Sequence, residues 1–180
     1  MSKVVRISTL FTILTAIAAI SLGLPLSGCS SSSASETAVV GAKAPDFNLP
    51  DLNGSAVSLS NLEGSPVLIN FWYTGCPPCR NEMPYLQQVH SENEEAGLIV
   101  LAINAGENSS TIVEFLDNNE LSSLLDTILV DSKGDTFQKY GIQYFPTTYF
   151  IDRNGIIKEK VIGAFPSKES IDKRLEQILP

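Results

Sequence analysis

The chain has 180 residues, enough for one domain with a full core behind a separate N-terminal segment. Hydrophobic residues make up 43% and charged residues 18%, which excludes a disordered chain. Beyond residue 28 the body loses Lys3 and Arg6 and no acid, leaving 10 bases against 20 acids; that surface argues against nucleic acid or an anionic lipid surface as the main partner.

Residues 1–28 read as a targeting segment. Lys3 and Arg6 give a positive start, Ile7 to Ile20 an apolar run, and Gly23 and Pro25 lead into Leu26-Ser27-Gly28-Cys29. This layout fits a secretory signal. The Leu-Ser-Gly-Cys string resembles a bacterial lipobox, which implies cleavage before Cys29 and acylation of its sulfur. A plain signal peptide and an uncleaved anchor helix are the alternatives, since the apolar run is long enough to span a membrane if uncut. All three expectations place the body outside the cytoplasm or facing outward. Residues 29–40 then form a Ser-rich tether and residues 41–180 a single domain.

Within that domain, Phe47–Leu49 and Ala56–Leu59 flank Asp51-Leu-Asn53-Gly54, a tight-turn signal that predicts a short hairpin. Pro66–Phe71 and Leu98–Ile103 are continuous apolar runs, the mark of strands buried on both faces. Between them Cys79, Met83, Leu86 and Val89 recur at helical spacing, and Gly97 suits a helix end. A second helix is expected over about Thr111–Asn119, where Thr111 and Glu114 have capping-box spacing. A short strand at Ile128–Val130 and a short helix at Thr136–Tyr140 follow. Strands at Thr147–Ile151 and Ile156–Val161 turn at Arg153-Asn154-Gly155, and an amphipathic helix covers Ser167–Leu179. Buried strands alternating with helices predict a layered α/β sheet.

The chemistry concentrates in Asn70-Phe-Trp-Tyr-Thr-Gly-Cys76-Pro-Pro-Cys79-Arg-Asn-Glu82-Met-Pro84. With Cys29 set aside, Cys76 and Cys79 are the remaining cysteines, and an oxidising compartment makes a redox pair the leading idea. A Cys-x-x-Cys after a buried strand and opening a helix is a thioredoxin-like arrangement. The first sulfur sits where unpaired N–H groups and the helix dipole favour negative charge, so its thiolate can attack a partner disulfide. The second, one turn along, can resolve the mixed disulfide. Pro77 fits the first helical turn, where its missing N–H costs little. A zinc site would want about four ligands, and besides this pair the chain offers only His90. An inert structural disulfide is the other alternative, but so short a loop restrains the unfolded chain little. His90 reads as a helix-surface residue, Met83 as core, and Asp131-Ser-Lys-Gly-Asp135 as a plain turn.

Residues 41–180 resemble the TlpA/ResA-like family of thioredoxin-fold oxidoreductases. The resemblance is carried by Phe71-Trp72, Cys76-Pro-Pro-Cys79-Arg80 and Glu82-Met83-Pro84, and by Tyr144-Phe145-Pro146-Thr147-Thr148-Tyr149-Phe150-Ile151-Asp152. It implies a three-layer α/β/α sandwich with an added N-terminal β-hairpin. It implies that Cys76 attacks, Cys79 resolves, and Pro146 is cis and faces the disulfide, with the Phe145 backbone presented to substrate. Glu82 matches an acid that tunes the cysteines and Glu107 a second acidic position. Trp72 and Gly75 complete the candidate substrate surface, although Trp72 also reads as partly core. Gly75 departs from the family, which places Trp directly before the first Cys.

The expected activity is reduction of extracytoplasmic protein disulfides, with the Cys76–Cys79 disulfide as redox centre and no other cofactor. A membrane dithiol carrier is the expected electron donor, apocytochrome c a candidate substrate, and the protein a monomer. Alternatives are a peroxide-reducing redoxin, whose Pro-x-x-x-Thr-x-x-Cys pattern is absent here, a copper carrier, and a non-catalytic lipoprotein.

Overall fold

The structure is a computed structural model and describes residues 37–179. The targeting segment, Cys29 and the tether up to residue 36 lie outside the described residues. Among the described residues, seven strands and four α-helices follow in chain order: β1 (Asn48–Pro50), β2 (Ala56–Ser58), β3 (Val67–Trp72), α1 (Pro77–Glu92), β4 (Ile99–Asn104), α2 (Ser109–Asn118), β5 (Ile128–Val130), α3 (Asp135–Lys139), β6 (Thr147–Ile151), β7 (Ile157–Ile162) and α4 (Lys168–Leu175). Short 3₁₀ segments occupy Leu59–Leu62 and Ser122–Thr127.

The hairpin forms because Asp51 closes its own turn. Its Oδ1 accepts the N–H groups of Asn53 and Ser55, both at 2.8 Å, and Gly54 takes φ +85°, which a side chain would resist. β1 and β2 make a separate two-stranded sheet rather than extending the main one. A bridge from Asp51 to Leu129 fastens the hairpin to β5.

The main sheet has five strands in the order β5-β4-β3-β6-β7. β3, β4 and β5 run parallel, while β6 and β7 pair antiparallel. Every residue of β3 is buried, as expected of an apolar run covered on both faces. Leu68 and Trp72 join one core cluster with α1, α2 and α4; Ile69 and Phe71 join another with Phe47, Leu49 and Tyr140. The period-two alternation of a strand thus sorts β3 between two layers.

The second layer is thinner than the sandwich expectation suggests, because short α3 shares it with the N-terminal segment. The Tyr140 hydroxyl donates to the Pro45 carbonyl at 2.8 Å and locks the two together. The capping expectation for Thr111 is corrected. α2 begins at Ser109 with Asn108 as its N-cap, and the Thr111 N–H donates to the Asn108 carbonyl within the first turn. Asp131 spends its carboxylate on the Gly134 and Phe137 N–H groups, both at 3.0 Å, so the loop after β5 is a turn that starts α3.

Candidate active site

β3 delivers the chain to the top of the sheet, and Tyr73–Gly75 turn it into α1. Cys76 is the N-cap of that helix, and its Sγ accepts the Cys79 N–H at 3.2 Å. Pro77 and Pro78 occupy the first helical positions, where no donor is needed. The structure holds Cys76 and Cys79 as a disulfide. Both sulfur residues are buried, while Gly75, Pro77 and Pro78 around them are exposed.

The Phe145–Pro146 peptide is cis, and Pro146 is buried. The adjoining Phe145 ring meets Tyr73 edge-on at 5.2 Å between centroids, which sets the proline loop against the loop that leads into Cys76. The Gly163 N–H donates to the Pro146 carbonyl at 2.9 Å and pins the end of β7 beside the loop. Tyr144 and Ile162 flank this junction and are 64% and 58% exposed, so large apolar surface faces solvent there. Sequence reasoning missed both as surface residues. Tyr144 was legible as a bulky residue just ahead of the proline, but nothing in the sequence placed Ile162 near it.

Glu82 is fully buried one helical turn past Cys79. Its Oε1 accepts from Asn70 Nδ2 at 2.8 Å and its Oε2 from the Phe165 N–H at 2.8 Å. Burial pushes its carboxyl up to about 7, against the opposing pull of the Phe165 and Asn70 hydrogen bonds. The group therefore changes charge near neutral pH, as a surface acid would not.

Glu107 lies elsewhere. It reaches from the end of β4 to the loop before Cys76, where its Oε2 accepts the Thr74 N–H at 2.7 Å and Asn104 Nδ2 at 2.8 Å. Its Oε1 accepts the Thr74 hydroxyl at 2.6 Å. Glu107 is thus a clamp on the reactive loop.

Three expectations change. Trp72 is fully buried and packs on Phe115 at 5.5 Å, so it supports the core and cannot touch a substrate. Gly75 does not leave an empty place: a Cβ on it would lie 3.2 Å from Tyr73 Cε2. The Tyr73 ring occupies part of the room beside the reactive sulfur. His90 is half-buried rather than on the open surface, with its Nδ1 enclosed and unpartnered among the described residues. Among the described residues no group of acidic, histidine and cysteine side chains is arranged to hold a metal, and no helix is long and apolar enough to cross a membrane.

Residues 40–160 match the model of the AhpC/TSA family. The thiol-disulfide oxidoreductase ResA of Geobacillus kaustophilus is 38% identical over 146 residues, covering 81% of this chain and 82% of the relative. ResA of Halalkalibacterium halodurans is 36% identical over 140 residues, covering 78% of this chain and 77% of the relative. Among solved structures, a Chlorobium tepidum protein assigned as thiol:disulfide interchange protein DsbE superposes with a TM-score of 0.70 at 33% identity, over 78% of this chain and 98% of that one.

Proposed function

The chain belongs to the AhpC/TSA family and is a thiol–disulfide oxidoreductase of the ResA type, and from that premise we propose that it reduces protein disulfides outside the cytoplasm, held to a membrane through acylated Cys29. The observation that carries the catalytic part is the placement of Cys76 Sγ at the N-terminus of α1, accepting the Cys79 N–H. A thiolate there keeps that hydrogen bond and gains the helix field.

In the reduced protein the Cys76 thiolate attacks one sulfur of a substrate disulfide. A mixed disulfide forms, the substrate's other sulfur leaves as thiolate, and that sulfur takes a proton. The Cys79 thiol loses its proton and attacks Cys76 Sγ, releasing the second substrate thiol and leaving the Cys76–Cys79 disulfide. Two electrons and two protons pass to the substrate per cycle. A membrane dithiol carrier returns them, and no cofactor beyond the disulfide is required. The Phe145 backbone beside Pro146, with exposed Tyr144 and Gly75, would receive the substrate chain.

The buried Glu82 supports the reducing direction. A carboxylate near the pair disfavours thiolate, and a less stabilised reduced form makes a dithiol a stronger reductant. Apocytochrome c, with its paired cysteines, is the substrate this reading favours, and the protein would act as a monomer. The Leu26-Ser27-Gly28-Cys29 string supports the anchor.

The test is a Cys79→Ser variant, which should accumulate mixed disulfides with substrates that mass spectrometry can identify. Recovery of thiol-bearing apocytochromes on Cys76 supports the proposal; recovery of only small thiols refutes it. Cys29→Ser should leave the membrane fraction or stall in processing. A processed variant that stays membrane-bound excludes the acyl anchor.

A further inference from the structure

Asn70 sits fully buried at the centre of β3, on the face it shares with Leu68 and Trp72. Met83 and Phe150 close the same apolar layer. An amide there must lose its water, so it persists only if its polar atoms are used. Its nitrogen is used fully: one proton goes to Glu82 Oε1 at 2.8 Å and the other to Thr148 Oγ1 at 2.9 Å. Its Oδ1 is buried with no partner among the described residues. Packing does not explain the residue, since an apolar side chain of similar size would leave no orphan acceptor. The nitrogen does.

We propose that Asn70 is a positioning residue for disulfide exchange: its amide fixes the Glu82 carboxyl beneath α1 and joins it to Thr148, two residues past the cis-proline. Asn70 and Thr148 are register partners across β3 and β6, so the sheet itself sets their spacing. The second Glu82 oxygen is held by the Phe165 N–H from the loop between β7 and α4. Donors from two elements therefore grip the carboxyl, and neither belongs to the helix that carries it. The charged side chains nearby are engaged elsewhere. Arg80 of α1 lies over Phe115, Arg174 of α4 pairs with Glu159 of β7, and Lys168 pairs with Glu92 and Asp172. Cys79 stands one helical turn before Glu82, and Cys76 caps the same helix. A hydrogen bond to the charged carboxyl favours that form, so Asn70 sets how far burial lifts Glu82. The inference rests on the reading that Glu82 acts on the sulfur pair.

The test is a carbon-13 NMR titration of the Glu82 carboxyl in the oxidised protein, in which neither sulfur titrates. Asn70→Leu should move its midpoint upward from about 7 by roughly one pH unit, the equivalent of one charge-assisted hydrogen bond. Thr148→Val preserves volume, frees the amide from its second anchor, and should give a smaller shift in the same direction, so the answer does not depend on Asn70→Leu folding. Unmoved midpoints in the variants that fold overturn the proposal. Alkylation of reduced Cys76 against pH tests the underlying reading separately. Glu82→Gln should remove an inflection near neutral pH, and its persistence would defeat the role of Glu82 while the NMR result still decides that of Asn70.

Discussion

Thr74 and Glu107, 33 positions apart in the chain, are bound at two points: the Thr74 N–H to Glu107 Oε2 at 2.7 Å and the Thr74 hydroxyl to Oε1 at 2.6 Å. Thr74 lies two residues before the reactive sulfur, so the end of β4 holds the loop that presents Cys76. The Glu107 N–H in turn donates to Asn104 Oδ1 at 2.9 Å, and Asn104 is fully buried at the last position of β4. The loop is therefore referenced to the sheet rather than to solvent.

This geometry separates a clamp from a charge effect. Oε2 receives two donors, the Thr74 N–H and Asn104 Nδ2, and must remain an oxygen; Oε1 faces a hydroxyl, which can turn and accept instead. Glu107→Gln should thus cost less than about 1 kcal/mol, and Glu107→Ala about 2 kcal/mol, because it removes the acceptor of three donors. Urea unfolding of the oxidised proteins gives both values. The Ala variant should also be reduced faster by dithiothreitol. If Gln and Ala change the alkylation pH profile of Cys76 alike, charge governs the position and the clamp does not.

The two sulfurs should differ in the reduced state. Both residues are buried in the same core cluster, but Cys76 is the N-cap of α1 with an N–H already aimed at its sulfur, whereas Cys79 lies inside the first turn. Helix-terminal thiols ionise more readily and interior ones resist. Brief iodoacetamide labelling at pH 7, read by peptide mass spectrometry, should modify Cys76 at least roughly tenfold faster than Cys79. Equal rates would remove the assignment of attacking and resolving roles.

The reactive motif was legible because its chemistry is local: Cys76, Pro77, Pro78 and Cys79 lie within four consecutive positions, and the strand before them is unbroken apolar sequence. The hairpin was legible for the same reason, Asp51 and Gly54 defining their own turn. What stayed hidden depends on register between distant segments. Asn70 looks like an isolated polar interruption of a strand until Thr148 and Glu82 meet it from 78 and 12 positions away. Trp72 could not be divided between surface and core without knowing that α2 supplies Phe115 above it. The Thr111 capping signal failed because the helix starts earlier, at Ser109, which puts Thr111 inside the first turn with its N–H on the Asn108 carbonyl.

Stability should fall as pH rises through the range in which Glu82 ionises. In the folded chain its carboxyl is lifted to about 7 by burial, whereas an unfolded chain has it near the usual value of about 4.3. Between those values the folded state holds a proton that the unfolded state has lost, so deprotonating the folded group costs stability as pH increases. The full difference amounts to about 4 kcal/mol, complete above neutral pH. Chemical denaturation of the oxidised protein at pH 4.5 and pH 8 should show this component in the wild type and lack it in Glu82→Gln. A wild type and variant with parallel pH curves would mean that Glu82 is solvated in solution.

Gly75 tests whether the aromatic missing before Cys76 has been replaced by a neighbour. Its backbone is outside the left-handed region, so glycine is not needed there for conformation. What a side chain would meet is Tyr73, with Cε2 at 3.2 Å and Cδ2 at 3.4 Å from an added Cβ. That ring is held edge-on by Phe145 at 5.2 Å. Gly75→Ala needs only a slight retreat of the ring. Gly75→Trp must push it off Phe145, forfeiting an aromatic pair worth about 1 kcal/mol and disturbing the loop that carries Pro146. The same Trp in a Tyr73→Ala background has no ring to displace and should cost correspondingly less. A double-mutant cycle on the two positions should therefore show a coupling of about 1 kcal/mol, well above the roughly 0.5 kcal/mol expected of independent sites. Insulin reduction should track the same pattern, with Gly75→Trp the slowest and the double variant partly restored. Additive effects on both stability and rate would mean that Tyr73 is not standing in for the absent tryptophan.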